Sequence, residues 1–316
     1  MGRIGRACAR LLLSSQNFQL ICANDIADSD IIRYLLKYDS VHRRFAGDLH
    51  DPYDPRDPHD FDGVKFSQES SPQDCDFRGA DIVFDCTGRH LSAEGAEGLG
   101  SYLENGARRV IVSAPPQDSS VQIAPPLSKP NAPIVSAGSC TANALFLLCE
   151  VMRKNFATDT VLATSIHSYT SDQRLLDAKN SELRRGRSST LNMIPVSTSA
   201  AKNLALYDPR YAKSAAAIGL RVPTPNVSVM QAVFLLDNHA DREAINEAFM
   251  EAAKKYMPSV VEFSNAPNVL TDIIGSRASA VIDGALTLTI GKIASVTAWH
   301  DNEVGFAARM LDLAQI

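Results

Sequence analysis

The chain has 316 residues, 45% hydrophobic and 21% charged, the composition of an ordinary soluble globular protein of about two domains. A net charge of -5, with Lys and Arg scattered apart from Arg184-Arg185-Gly186-Arg187, leaves no electrostatic footprint for nucleic acid. No apolar run approaches the ~20 residues of a membrane span, the start lacks a signal-peptide core, and the 6 Cys include no C-x-x-C pair, so we expect a cytoplasmic chain with no membrane partner and no metal.

Gly2-Arg3-Ile4-Gly5 opens an expected helix to about Leu13, and the strand-like Gln19–Asn24 leads to Asp25. Glycines at a helix start let a pyrophosphate approach the backbone, and an acidic residue about 20 positions on bonds a ribose hydroxyl. Either a dinucleotide site, with Asp25 favouring NAD over NADP, or simple helix packing fits this stretch, because the full fingerprint needs a strand and a first Gly ahead of it. A doubly wound sheet carries its first strand centrally, so we expect a short β-branched strand and Gly-x upstream of Gly2, with Met1 an internal or misassigned start.

Ile31, Ile32, Tyr34, Leu35 and Leu36 predict a helix, and the Asp- and Pro-rich 48–62 stretch reads as a loop. Asp81–Cys86 and Arg109–Ser113 are continuous apolar runs, as in parallel strands buried on both faces, with Ser92–Asn105 as the crossover helix between them. Alternating strands and helices up to Met152 predict an α/β doubly wound domain with a ligand crevice at the strand C-termini.

Pro133–Gly138 turns into a helix beginning at Cys140, with Leu145, Leu148, Val151 and Met152 at helical spacing. Orphan N–H groups and the helix dipole draw a thiol there toward thiolate, so Cys140 is either a nucleophile or an inert small hydrophobe. After Asn155 longer alternating strands appear, at Thr160–Ile166, Val227–Leu236, Ala280–Ile290 and Ile293–Trp299, interrupted by the helix Arg242–Tyr256 and followed by the helix Asn302–Leu313. They predict an α+β domain with a mainly antiparallel sheet and helices on one face. His167, ending a strand ahead of Thr170, Asp172 and Gln173, is either the partner of the thiol or a surface histidine. Arg184, Arg185, Arg187 and Arg221, with Ser197 and Thr198, either form an anion site or a solvated charged face.

Together the motifs Ser136-Ala-Gly-Ser139-Cys140-Thr141-Ala-Asn143, His167-Ser-Tyr-Thr170-Ser-Asp172-Gln173, Ile194-Pro-Val-Ser-Thr198, Arg221-Val-Pro-Thr and Trp299-His-Asp-Asn302 resemble, in order, those of the phosphorylating glyceraldehyde-3-phosphate dehydrogenase family. The resemblance implies a Rossmann-type NAD-binding domain, 1–139, joined by a C-terminal helix, 302–316, and a catalytic domain, 140–301. It implies that Cys140 is the nucleophile and that His167 activates it. It places Thr170, Asp172 and Arg221 at the substrate phosphate, and Ser139, Thr141, Thr198 and Ser199 at inorganic phosphate. Gly2, Arg3, Ile4, Asp25, Thr87, Ser113 and Asn302 would surround NAD, and the Arg174–Ser197 segment would cross a homotetramer interface. The implied reaction is NAD-dependent oxidation of glyceraldehyde 3-phosphate to an acyl phosphate; erythrose 4-phosphate is the alternative substrate, and an inactive scaffold lacking the first strand is the alternative class.

Overall fold

The computed structural model describes residues 1–47, 63–95 and 98–315, so the expected loop Asp48–Asp62 lies outside the described residues. The chain divides into two compact units, Met1–Gly138 with Ala307–Ile316, and Ser139–Phe306.

The first unit begins with helix α1 (Arg3–Leu13), then strand β1 (Cys22–Asn24), helix α2 (Ser29–Lys37) and strand β2 (Lys65–Ser67). Strand β3 (Ile82–Asp85), the short helix α3 (Gly100–Glu104) and strands β4 (Arg109–Val112), β5 (Gln122–Ile123) and β6 (Ile134–Ser136) follow. Asp28 caps α2 by accepting the Asp30 N–H at 2.8 Å, the side-chain cap that helix starts favour. The crossover helix expected over Ser92–Asn105 is confined among described residues to α3, because Gly95, Gly98 and Gly100 crowd its first half and Gly95 sits at φ +91°. The strand expected from Gln19 likewise begins only at Cys22.

All pairings in this unit are parallel, but they form two sheets: β1 with β2, and β3-β4-β6-β5. Between β1 and β3 no described strand intervenes. The buried residues also fall into separate clusters, one around Val83, Leu99 and Val110, the other around Ala9 and Leu36.

The second unit opens with the 17-residue helix α4 (Cys140–Phe156), capped by Ser139, whose hydroxyl accepts the Ala142 N–H. Strands β7 (Thr160–Ser168) and β8 (Ile194–Val196), helix α5 (Ala200–Tyr207) and strands β9 (Ala215–Val222) and β10 (Ser228–Leu235) come next. Helix α6 (Arg242–Glu251), strand β11 (Val261–Ser264), helix α7 (Leu270–Ile273) and strands β12 (Ala280–Asp283), β13 (Leu288–Ile290) and β14 (Ile293–His300) complete this unit, and helix α8 (Val304–Ala314) follows, belonging from Ala307 onward to the first unit. The sheet runs β11-β12-β14-β10-β7-β9-β8, antiparallel except at β11–β12 and β7–β9.

Alternation along β7 and β10 buries Val161, Ala163, Met230, Ala232 and Phe234 in one core with α4 and α6. Leu162 of β7, Leu235 of β10 and Ile218 of the neighbouring β9 are exposed. The single strand expected over Ala280–Ile290 is β12 and β13 separated by a 3₁₀ turn at Gly284–Leu286. There an added Cβ on Gly284 would come within 2.4 Å of the Phe263 ring, so any other residue would have to displace that ring. Strands β8, β9 and β11 and helix α5 were not expected; short runs such as Ala215–Ala217 carry little apolar signal and gain their pairing from β7.

Candidate active site

Cys140 is the first residue of α4, so its side chain stands where the orphan N–H groups of the helix begin. Its Sγ lies 3.5 Å from His167 Nε2 and 3.8 Å from the Thr141 hydroxyl. Burial pushes the Cys140 thiol above its ordinary value, against the pull of the Thr141 hydroxyl and of the Arg221 charge. A helix start by itself favours the thiolate; desolvation outweighs the helix end here, because a charged sulfur loses more hydration than one helix terminus restores.

His167 ends β7 on its buried face, continuing Val161, Ala163 and Ser165, so it is no surface histidine. Burial, then the Arg221 charge, lowers its pKa to about 3, and the ring is neutral at physiological pH. Strand register sets Arg221 of β9 directly beside His167. Its Nη1 lies 2.5 Å from His167 Nδ1 and donates to the Ser168 carbonyl at 2.8 Å, while Nδ1 is itself 2.7 Å from that carbonyl. One ring nitrogen cannot accept from Arg221 and donate to Ser168 at once, so these contacts belong to two tautomers.

Around this pair, the Thr170 hydroxyl donates to Asp172, and Asp172 accepts from Arg185 at 3.2 Å. Through these two bonds Asp172 links Thr170 to Arg185. Arg185 also bonds Glu182, and Arg187 bonds Asp177 at 2.7 Å, so these members of the arginine cluster are engaged in ion pairs within their own loop. Thr198 and Ser199 stand at the start of α5, where Thr198 accepts the Ala200 N–H at 3.2 Å. The Tyr207 hydroxyl of α5 donates to Asn143 of α4 at 2.8 Å and ties the two helices together. Asn302 is buried, its Oδ1 accepting from Ser168 at 3.0 Å and from Ser228 at 3.3 Å.

Sequence reasoning missed His300. It is fully buried, its ring packs edge-on to His167 at 6.4 Å, and neither nitrogen has a hydrogen-bond partner among the described residues. Burial lowers its pKa to about 4. The signal was present in strand parity, since Ala294, Val296 and Ala298 place His300 on the inward face of β14.

In the first unit, Asp25, Thr87 and Ser113 follow the C-terminal ends of β1, β3 and β4, the edge where doubly wound sheets bind ligands. Gly2 is the N-cap of α1 with extended backbone and no side-chain cap, leaving its turn open to an anion, and Arg3 and Ile4 begin the helix. Gly5 lies close under β3, where an added Cβ would meet the Cys86 Cβ at 3.5 Å. Thr87 donates its hydroxyl to Asp85 at 2.8 Å, and Arg3 is held by both oxygens of Asp39. Asp25 accepts the Met1 amino group at 2.6 Å and the Ala27 N–H at 2.9 Å. Burial works against its charge, but these bonds prevail and hold its carboxyl below the usual range. An uncapped helix start beside a carboxylate at the strand ends has the donor and acceptor set that a pyrophosphate and a ribose diol require.

Two family profiles match the chain: the glyceraldehyde 3-phosphate dehydrogenase NAD binding domain over residues 1–93, and the C-terminal domain over residues 139–302. The chain belongs to the glyceraldehyde-3-phosphate dehydrogenase family. It is 35% identical to the glyceraldehyde-3-phosphate dehydrogenase of Geobacillus stearothermophilus, over 99% of this chain and 95% of that one. It is 36% identical to the chloroplastic glyceraldehyde-3-phosphate dehydrogenase A of Nicotiana tabacum, over 100% of this chain and 82% of that one, and 33% identical to the enzyme of Priestia megaterium, over 99% and 95%. Family membership makes the chain an NAD-dependent oxidoreductase. No helix among the described residues is long and apolar enough to cross a membrane.

Proposed function

We propose that this chain oxidises glyceraldehyde 3-phosphate to an acyl phosphate with NAD and inorganic phosphate. The observation that carries the reading is the 3.5 Å approach of Cys140 Sγ to His167 Nε2 at the start of α4, with Arg221 on the adjoining strand. Cys140 sulfur adds to the aldehyde carbon, and the carbonyl oxygen takes the proton, giving a thiohemiacetal. Bound NAD supplies the acceptor for the hydride that leaves that carbon. His167 takes the hydroxyl proton as the thioester forms, a phosphate oxygen then attacks the carbonyl, and the C–S bond breaks to return the thiol.

The tautomer conflict at Nδ1 gives Arg221 a part in this sequence. With Arg221 donating to Nδ1, the ring carries its proton on Nε2 and can only donate toward Cys140. When a substrate phosphate draws the guanidinium away, Nδ1–H turns to the Ser168 carbonyl and Nε2 is left bare to accept the thiol proton. We assign Thr170 and Arg221 to that phosphate, with Asp172 orienting Thr170, and Ser139, Thr141, Thr198 and Ser199 to inorganic phosphate. Gly2, Arg3, Ile4, Asp25, Thr87, Ser113 and Asn302 are assigned to NAD. A cytoplasmic homotetramer completes the reading; the exposed Leu162, Ile218 and Leu235 of the sheet and Leu175, Leu176 and Leu183 of the long loop support an interface between copies. NADH formation with glyceraldehyde 3-phosphate and with erythrose 4-phosphate, each with and without inorganic phosphate, tests the proposal. Turnover that is independent of phosphate, or that is faster with the tetrose, would overturn it.

A further inference from the structure

The hydrogen bonds of His167 do not by themselves fix its ring. Its Nδ1 has two partners, the Arg221 guanidinium and the Ser168 carbonyl, and each tautomer satisfies only one of them. Its Nε2 faces Cys140 Sγ at 3.5 Å, where a proton passes in both directions during the proposed reaction. Whenever Nδ1 changes partner, the bond that held the ring plane is released, and a turn of that plane carries Nε2 off the sulfur. Alignment through the whole cycle needs a contact that is indifferent to where the proton sits.

His300 makes such a contact. Sheet register sets four side chains in one row: His300 of β14 pairs with Ser228 of β10, the Val229–Ile166 register continues from Ser228 to His167 of β7, and His167 pairs with Arg221 of β9. Backbones two strands apart lie roughly 9.5 Å from each other. The small Ser228 between them lets the two imidazoles meet at 6.4 Å, 77° from parallel. Its hydroxyl is engaged elsewhere, accepting the Ser168 N–H at 3.4 Å and donating to Asn302 at 3.3 Å. His300 is buried, continues the buried Val296 and Ala298, and has no hydrogen-bond partner at either nitrogen among the described residues. What it offers His167 is therefore close packing, which does not change with the tautomer. Along the row His167 has Arg221 on one side, whose bond changes, and His300 on the other, whose contact does not. We propose that His300 is a positioning residue, whose ring braces that of His167 edge-on and keeps Nε2 in line with Cys140 Sγ while Nδ1 changes partner.

The brace rests on the reaction proposed above for its kinetic test, but not for a second test by labelling of Cys140. His300→Leu and His300→Met fill a similar volume without a flat ring, whereas His300→Phe keeps the ring and drops both nitrogens. In the Leu and Met chains, checked for fold by circular dichroism, kcat with glyceraldehyde 3-phosphate should fall about ten- to a hundredfold at unchanged KM, because proton transfer depends steeply on alignment. Alkylation of Cys140 by iodoacetamide at neutral pH should slow about tenfold in the same chains, since a misaligned Nε2 no longer takes the thiol proton. The Phe chain should recover both rates to within about threefold of the parent. Losses that Phe does not recover would mean that the nitrogens of His300 act and not its shape, and would overturn the proposal. Unchanged rates in Leu and Met, or a raised KM with kcat intact, would overturn it as well. If the parent chain forms no NADH, the reaction fails and the labelling rates alone decide the brace. If neither Leu nor Met chain folds, the Phe chain decides: retained rates uphold the brace and lost ones overturn it.

Discussion

The two units solve the same problem of burying apolar sheet with unequal success. In the second, a seven-strand path packs one face on α4 and α6, and a single cluster running from Ala144 to Ala298 encloses the helix that presents Cys140. In the first, a split sheet leaves two clusters and a cavity between them. The contrast teaches that the helix start at Cys140 can be held by a continuous core while the NAD-binding domain of the same chain has a divided one. Placement of the reacting groups within half an ångström needs locked neighbours, which the second unit supplies through Ser139, Tyr207 and the β7–β9 register.

The largest effect expected from the well-packed unit is loss of chemistry without loss of fold. Cys140→Ser should abolish NADH formation while circular dichroism and melting are unchanged, and iodoacetamide should label Cys140 ahead of the buried Cys8, Cys75 and Cys149. Preferential labelling of Cys22 or Cys86 would instead point to the cavity of the first unit as the reactive region, since both line it.

Arg221→Leu comes next. Each charge-assisted bond to phosphate is worth ~1.5–3 kcal/mol, so KM for glyceraldehyde 3-phosphate should rise about 10- to 100-fold. Because Arg221 also touches His167 and Ser168, unphosphorylated glyceraldehyde should lose a smaller factor, in kcat. Equal losses on both substrates would make Arg221 purely structural.

Titration probes the well-packed second unit further. With its thiol raised by burial, Cys140 should alkylate faster as pH climbs through the alkaline range, and a rate flat from pH 6 upward would refute a raised thiol. For stability the signs run the other way. His167, lowered to about 3, and His300, lowered to about 4, favour the neutral ring in the fold, so the unfolded chain binds more protons below its ordinary value of ~6.5. The stability they contribute is complete above that pH and is lost as pH falls toward 4. His300→Phe should therefore flatten the fall of Tm with acid while leaving iodoacetamide labelling of Cys140 in place.

The smallest effect tests the joint just before helix α4. Gly138 sits at φ +70°, and its N–H donates to Ser136 at 3.0 Å, so Gly138→Ala should cost ~1 kcal/mol and lower Tm by a few degrees. An unchanged Tm would mean that the turn relaxes without strain.

By itself the sequence determined the periodic and the chemical features. The continuous apolar runs Asp81–Cys86 and Arg109–Ser113 specified parallel strands, the Ser139-Cys140-Thr141 step fixed a capped helix start, and the ordered motifs specified the family, because each depends on spacing that is local in the chain. Tertiary structure alone decided the rest. Strand β9 exists because β7 offers it an edge and β8 because β9 does, Arg221 meets His167 through register between strands far apart in sequence, and burial overrode the helix terminus at Cys140. The side of β14 that faces inward gave His300 its buried place. Desolvation and strand pairing are sums over neighbours brought together by folding, and no local window of residues contains them.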